Sequence, residues 1–167
     1  MKTTSTTASV VLPHPPRKGL LWLWFKFPRL LYRLHLGWLL GHRSLLLTHQ
    51  GRKTGRLRHT VLDIMRFDPA TKECLVVSMY GEQSDWYRNI MAHPALEVQT
   101  GRDRFVPLQR VLPPEEAEAV MAAFWRRYPR GVRLGLRLLG FQYDDTAASQ
   151  QTILSSLRVV SFRPKAA

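Results

Sequence analysis

Leu45-Leu-Leu-Thr-His-Gln50, Gly51-Arg-Lys-Thr-Gly55 and Arg56-Leu-Arg-His-Thr-Val-Leu62 form the stretch on which the fold turns. An apolar run enters a bend bounded by two glycines, and a second run leads the chain away from it. Two such runs around a glycine-bounded loop predict neighbouring antiparallel strands. The loop presents Arg52, Lys53 and Thr54, and the outgoing strand carries Arg58. Glycines let backbone N–H groups converge on an anion, while the cations and the hydroxyl add charge and hydrogen bonds. The spacing is not that of a Walker loop, and the bend joins strand to strand, so it reads as an anion cradle on a hairpin.

The same alternation continues outward. Leu57 to Phe67 and Glu73 to Met79 read as strands around the turn Asp68-Pro69-Ala70-Thr71. Ser84 is placed to cap a helix from Asp85 to Ala92, which Pro94 halts. Ala95 to Thr100 and Arg104 to Val111 read as further strands. Pro113-Pro114-Glu115-Glu116 opens a helix whose apolar face is Ala117, Val120, Met121, Phe124 and Tyr128. Pro129 ends it. Asp145 caps a helix from Thr146 to Leu154, and Leu157 to Phe162 is a closing strand. The expected class is α+β, a mostly antiparallel sheet of about six strands closed into a barrel with flanking helices.

Composition bounds the function. The 167 residues suffice for one domain with a core. We expect a disordered tail over 1–18, an amphipathic basic helical segment over 19–42 and the barrel over 43–167. The 25 basic and 12 acidic residues leave a net charge of +13, which favours phosphates, nucleic acid or anionic lipid. The one cysteine, Cys74, cannot form an internal disulfide, so a reducing, cytoplasmic setting and a buried inert thiol are expected. The charge-free run from Gly19 to Phe25 is far shorter than the roughly 20 residues a span needs, and neither a leader nor a membrane-crossing helix is expected. Lys26, Arg29 and Arg33 share a face beside Trp22, Trp24, Leu30 and Leu34. That pattern suits a helix lying on the inner face of a membrane, or one packed over the barrel with its charges in water.

A second constellation follows the third strand. Val77-Ser78-Met79-Tyr80-Gly81 ends that strand, and Ser84-Asp85-Trp86-Tyr87-Arg88-Asn89 opens a helix. A strand end beside a helix N-terminus offers N–H groups to phosphate or carbonyl oxygens. Ser78 and Asn89 can add hydrogen bonds, and Tyr80 or Trp86 can stack on a ring. The six histidines show no metal-ligand spacing, and no metal is expected; His49 and His59 stand beside the cationic loop.

Leu-Leu-Leu-Thr-x-x-Gly-Arg-Lys-Thr-Gly, Val-Val-Ser-Met-Tyr-Gly, Asp-Trp-Tyr-Arg-Asn and His-Pro together resemble the deazaflavin-dependent nitroreductases, also called F420-dependent quinone reductases. The resemblance covers Leu45 to Val111. It implies the FMN-binding type of split β-barrel and a bound 8-hydroxy-5-deazaflavin, coenzyme F420, in preference to FMN or FAD. It implies that Arg52, Lys53 and Thr54 hold the cofactor's phosphate and that Arg58 is a cation near its anionic tail. Ser78, Met79, Tyr80 and Gly81 would lie along the ring, with Trp86 and Asn89 closing that end. The activity implied is hydride transfer between F420H2 and an electron-poor small molecule such as a quinone, a nitro compound or an activated alkene. Tyr80, Tyr128 and Tyr143 are the candidate proton donors. The chain departs from its relatives in having Tyr80-Gly81-Glu82 where many carry Lys-Gly-Gly.

Other readings keep the residues but change the ligand: a barrel holding FMN, FAD or haem, a carrier without catalysis, or a basic protein binding nucleic acid or a membrane surface. The cations are scattered over several segments instead of lining one groove, so nucleic acid is not an expected partner. Expected partners are the hydride acceptor, a peripheral membrane contact through 19–40, and either no second copy or one in a homodimer.

Overall fold

The computed structural model describes Tyr32, residues 37–138 and residues 147–165. The expectations for residues 1–31, most of the basic helical segment and Tyr143 lie outside the described residues. Seven strands occur: β1 Ser44–Gln50, β2 Leu57–Asp68, β3 Glu73–Ser78, β4 Glu97–Thr100, β5 Asp103–Phe105, β6 Pro107–Val111 and β7 Arg158–Pro164. Helices are α1 Asp85–Ala92, α2 Pro114–Arg127, α3 Pro129–Leu138 and α4 Ala147–Ser156, with short 3-10 turns at Gly37–Leu40 and Gly81–Gln83.

The strand order is β5-β4-β1-β2-β3-β7-β6, with every pairing antiparallel. Only Val106 separates β5 from β6, yet these strands lie at opposite ends of that order. Chain continuity therefore curls the sheet round until its two edges nearly meet. The expected single strand from Arg104 to Val111 is thus two strands in two halves of the sheet. Pro107 has no N–H with which to continue the ladder to β4, so pairing changes partner there. β2 makes the complementary bend: Ser44 to Gln50 pair with its first half, β3 pairs with its second, and the register shifts between Ile64 and Arg66.

Side-chain alternation gives two cores. Leu45, Leu47, Leu62, Cys74, Val76, Val98, Val160 and Phe162 fill the inside, closed by Tyr87 and Ile90 of α1. Leu75, Leu112, Ala117, Met121, Leu136, Ile153, Leu157 and Val159 pack on the outside of β3 and β7, beneath α2, α3 and α4. β3 is therefore apolar on both faces, which explains its unbroken Cys-Leu-Val-Val. Each fully buried aliphatic side chain stabilises the fold by about 1.5–3 kcal/mol. Pro129 both follows the end of α2 and begins α3, where its fixed φ is suited to a first turn. Tyr32 is helical and buried, and its hydroxyl donates to the Ser44 carbonyl at 2.9 Å.

Candidate functional site

The inward stripe of β1 runs Leu45, Leu47, His49, so the third member places an imidazole at the end of the barrel beneath α1. His49 is 2% exposed. Its Nε2 lies 3.0 Å from Thr60 Oγ1, and its Nδ1 lies 3.3 Å from Asn89 Nδ2. An amide nitrogen can only donate, so Nδ1 is the acceptor and the proton sits on Nε2. Burial, the largest cause, holds the ring's pKa below its ordinary value; the nearby charges of His59 and Arg58 act in the same direction.

Asn89 connects this ring to the glycine bend. Its Oδ1 accepts from the Arg52 backbone N–H at 3.1 Å and from Arg52 Nη1 at 2.9 Å. Arg52 Nη2 donates to Asp85 Oδ1 at 2.9 Å, and Nη1 reaches the Asp85 carbonyl at 3.4 Å. The bend itself is closed by Gly51 N–H to the Arg56 carbonyl at 2.8 Å and Gly55 N–H to the Gly51 carbonyl at 2.8 Å. Gly55 has φ +66, a conformation that glycine adopts without strain. A Cβ on Gly51 would meet Arg56 O and Thr54 Oγ1 at 3.3 Å, so a side chain there would have to displace them by a few tenths of an ångström.

These elements wall a cavity of about 530 Å³ lined by His49, Gly51, Arg52, Lys53, Thr54, Leu57, Arg58, His59, Thr60, Asp85, Trp86 and Asn89. Lys53, Thr54 and Arg58 are exposed on its rim. Neither Lys53 nor Arg58 forms an ion pair among the described residues, and the Lys53 backbone N–H has no acceptor among them. Their chemistry suits an anion of one or more phosphate or carboxylate groups.

Six of the sequence-designated residues meet here: Arg52, Lys53, Thr54, Arg58, Trp86 and Asn89. Ser78, Met79, Tyr80 and Gly81 do not line this cavity. Ser78 is fully buried; its hydroxyl donates to the Gly81 carbonyl at 2.7 Å and lies 2.6 Å from Ser84 Oγ. Ser84 stands at the N-cap position of α1, but its side chain faces Ser78 and makes no capping bond. Met79 packs with the outer core, and Gly81 abuts α4. Tyr80 is half-buried, with a hydroxyl that has no partner among the described residues and a pKa raised by burial. Tyr128 is 52% exposed at the end of α2. Asp85 and Thr60 complete the network; neither is assigned to the site by the sequence reading, because their partners are non-local. The described residues contain no group of three or more side chains able to hold a metal ion.

A sequence profile described as F420H(2)-dependent quinone reductase matches residues 35–133, more than half of the chain. The chain belongs to the F420H2-dependent quinone reductase family. It is an F420-dependent oxidoreductase, which settles the cofactor left open among F420, FMN, FAD and haem. Among solved structures it is similar to a protein described as a domain-swapped dimer, at 21% identity over 84% of this chain and 96% of that one, with a TM-score of 0.50. It is also similar to a pyridoxamine 5′-phosphate oxidase-related, FMN-binding protein from Nostoc punctiforme, at 14% identity over 83% and 80% of the two chains, TM-score 0.50. An F420-H2 dependent reductase, FDR-A, matches at 21% identity over 73% and 95%, TM-score 0.48. The first two likenesses place the fold among split β-barrels. No curated protein matches the sequence. The chemistry of the cationic cavity suits a phosphate group such as F420 carries, which the Lys53 N–H, without an acceptor among the described residues, and the Lys53 and Arg58 cations would hold.

Proposed function

We propose that this chain reduces a quinone with F420H2 and that the anionic half of the cofactor sits between the Gly51–Gly55 bend and α1. When bound, the reduced deazaflavin supplies a hydride to an electron-poor acceptor. The chain's own work is binding and orientation. Lys53 and Arg58 neutralise phosphate and carboxylate charge, the Thr54 hydroxyl and Lys53 N–H hydrogen-bond the phosphate, and Trp86 offers an aromatic wall. The net charge of +13 draws a polyanionic cofactor toward the site before contact.

One observation carries this reading: two exposed cations without ion pairs among the described residues line the same cavity as the glycine bend and the Trp86–Asn89 face of α1. Each lost charge-assisted contact is worth roughly 1.5–3 kcal/mol. Lys53→Ala combined with Arg58→Ala should weaken F420 binding well over tenfold, since about 1.4 kcal/mol is a factor of ten. The melting temperature without cofactor should stay close to wild type. Unchanged affinity in the double variant would reject the site. Turnover of a quinone, a nitroarene and an activated alkene under one condition tests the acceptor, with the quinone expected to be fastest.

The reading includes a membrane contact through residues 19–40, which would bring the enzyme to lipophilic acceptors. No helix among the described residues is long and apolar enough to cross a membrane. Co-sedimentation with anionic vesicles, abolished by removal of residues 1–40, is the expected result; sedimentation that survives the removal would end this part of the proposal.

A further inference from the structure

Arg52, Lys53 and Arg58, the cations lining the cavity, are not in equivalent positions. Lys53 and Arg58 are exposed, whereas the Arg52 side chain is 23% exposed and tied through both terminal nitrogens to α1. Its Nη2 is committed to the Asp85 carboxylate at 2.9 Å, and its Nη1 to Asn89 Oδ1 at 2.9 Å. Its backbone N–H bonds that same Asn89 oxygen at 3.1 Å. Asn89 is itself 6% exposed and held from behind by His49, whose other nitrogen is fixed by Thr60. Turning the guanidinium toward a ligand would leave Asp85 unpaired and remove one of the two donors to a buried amide oxygen. A planar guanidinium bridges two acceptors at fixed geometry, which an ammonium group cannot do.

We infer that Arg52 is a positioning residue that joins the bend to α1, and that the anion is met by Lys53 and Arg58; this rests on the F420 reading above. The chain Thr60–His49–Asn89–Arg52–Asp85 then acts as a strut running from β2 through β1 and α1 into the loop. It sets where Lys53, its N–H and Thr54 stand relative to α1. The Arg52–Asp85 pair carries no net charge, so it contributes little to the attraction of an anion. The sequence pattern, in which Arg52, Lys53 and Thr54 are consecutive, would instead assign all three to the phosphate.

Three properties separate a strut from a ligand, and all are read by titrating wild type and variants with F420, using its own fluorescence, at several ionic strengths. Lys53→Ala and Arg58→Ala should weaken binding and flatten its dependence on salt, because each removes a charge at the anion. Arg52→Lys should lose roughly tenfold in affinity, about one charge-assisted hydrogen bond, and should lose as much as Arg52→Ala while keeping the wild-type salt dependence. Asp85→Asn, at an exposed carboxylate, should also weaken binding. Melting of each unliganded variant confirms that a folded protein was titrated. If Arg52→Lys keeps wild-type affinity, or if Asp85→Asn tightens binding, Arg52 is a ligand and the inference is overturned. Wild type that takes up no F420 overturns the proposed function together with this inference, whereas uptake by wild type with an unaffected Arg52→Lys overturns the inference alone.

Discussion

Gly81 abuts the carbonyl oxygen of Ser156, so closely that a methyl group on its Cα would overlap it. The residue also has φ +50, where an L side chain is strained. It thereby fastens the turn after β3 to the last residue of the helix that precedes β7. Gly81→Ala combines the left-handed penalty with overpacking and should cost about 2–4 kcal/mol. For a chain of this size the melting temperature should fall by roughly 5–15 °C. F420 affinity, measured where the variant is still folded, should change little. A glycine kept for close approach of the cofactor would show the opposite pattern, with stability retained and affinity lost.

Ser78 offers a parallel test. Its buried hydroxyl donates to Gly81 O at 2.7 Å and meets Ser84 Oγ at 2.6 Å. Ser78→Ala leaves a buried carbonyl without its donor, at a cost of about 1–3 kcal/mol. Ser84→Ala made in the same background should add little further, because both hydroxyls serve one small network. Chemical denaturation of the two single variants and the double variant measures this directly. A large loss of F420 affinity in Ser78→Ala, with stability unchanged, would instead place Ser78 at the cofactor.

Much of the fold was legible because local signals and burial agree. The Gly-bounded bend, the Asp68-Pro69 turn and the Pro94 stop each mark a real boundary. The sequence placed His49 only beside the cationic loop; its burial at the end of the inward stripe of β1 came with the structure. The division at Val106 was not legible: Arg104 to Val111 has continuous strand character, and only the pairing partners reveal that β5 and β6 belong to opposite edges. The glycine-bounded bend and its cations were likewise readable from residues close in the chain. The pairing of Arg52 with Asp85 and Asn89 was not, since it depends on where α1 lands after the barrel closes. Segment 78–81 shows what the sequence leaves undecided for a related reason. Ser and Gly at a strand end offer groups to a ligand or to the chain itself, and the approach of α4, which decides between these, leaves no mark nearby.

Cys74 sits inside the barrel, fully buried, and burial pushes its thiol up to about 12. The thiolate is the reactive form, so the native protein should be inert to a thiol-specific disulfide reagent near neutral pH. Reaction should proceed only as fast as the protein opens, and it should accelerate in denaturant in parallel with unfolding. Fast stoichiometric labelling of the folded protein would contradict the packing of β3 and would make Cys74 available for redox chemistry.

His49 makes stability depend on pH with a definite sign. The folded ring has a pKa below its ordinary 6.5, chiefly through burial, with the bond to the Gln50 backbone acting the other way. The unfolded chain therefore takes up the proton first as pH falls, and stability rises with pH across that interval. The contribution is present in full above the ordinary value and is lost as pH drops through the folded one. Protonation would also put a hydrogen on Nδ1, facing the amide nitrogen of Asn89 that now donates to it at 3.3 Å. His49→Gln can present an acceptor to Asn89 and a donor to Thr60 without titrating. Its loss of melting temperature between about pH 7.5 and about pH 5 should be smaller than that of wild type. The lowered carboxylates of Asp68 and Glu116 titrate below this interval and are common to both proteins, so the difference isolates the ring. Parallel profiles for the two proteins would mean that His49 is not held neutral, and the strut from Thr60 to Asp85 would lose its innermost link.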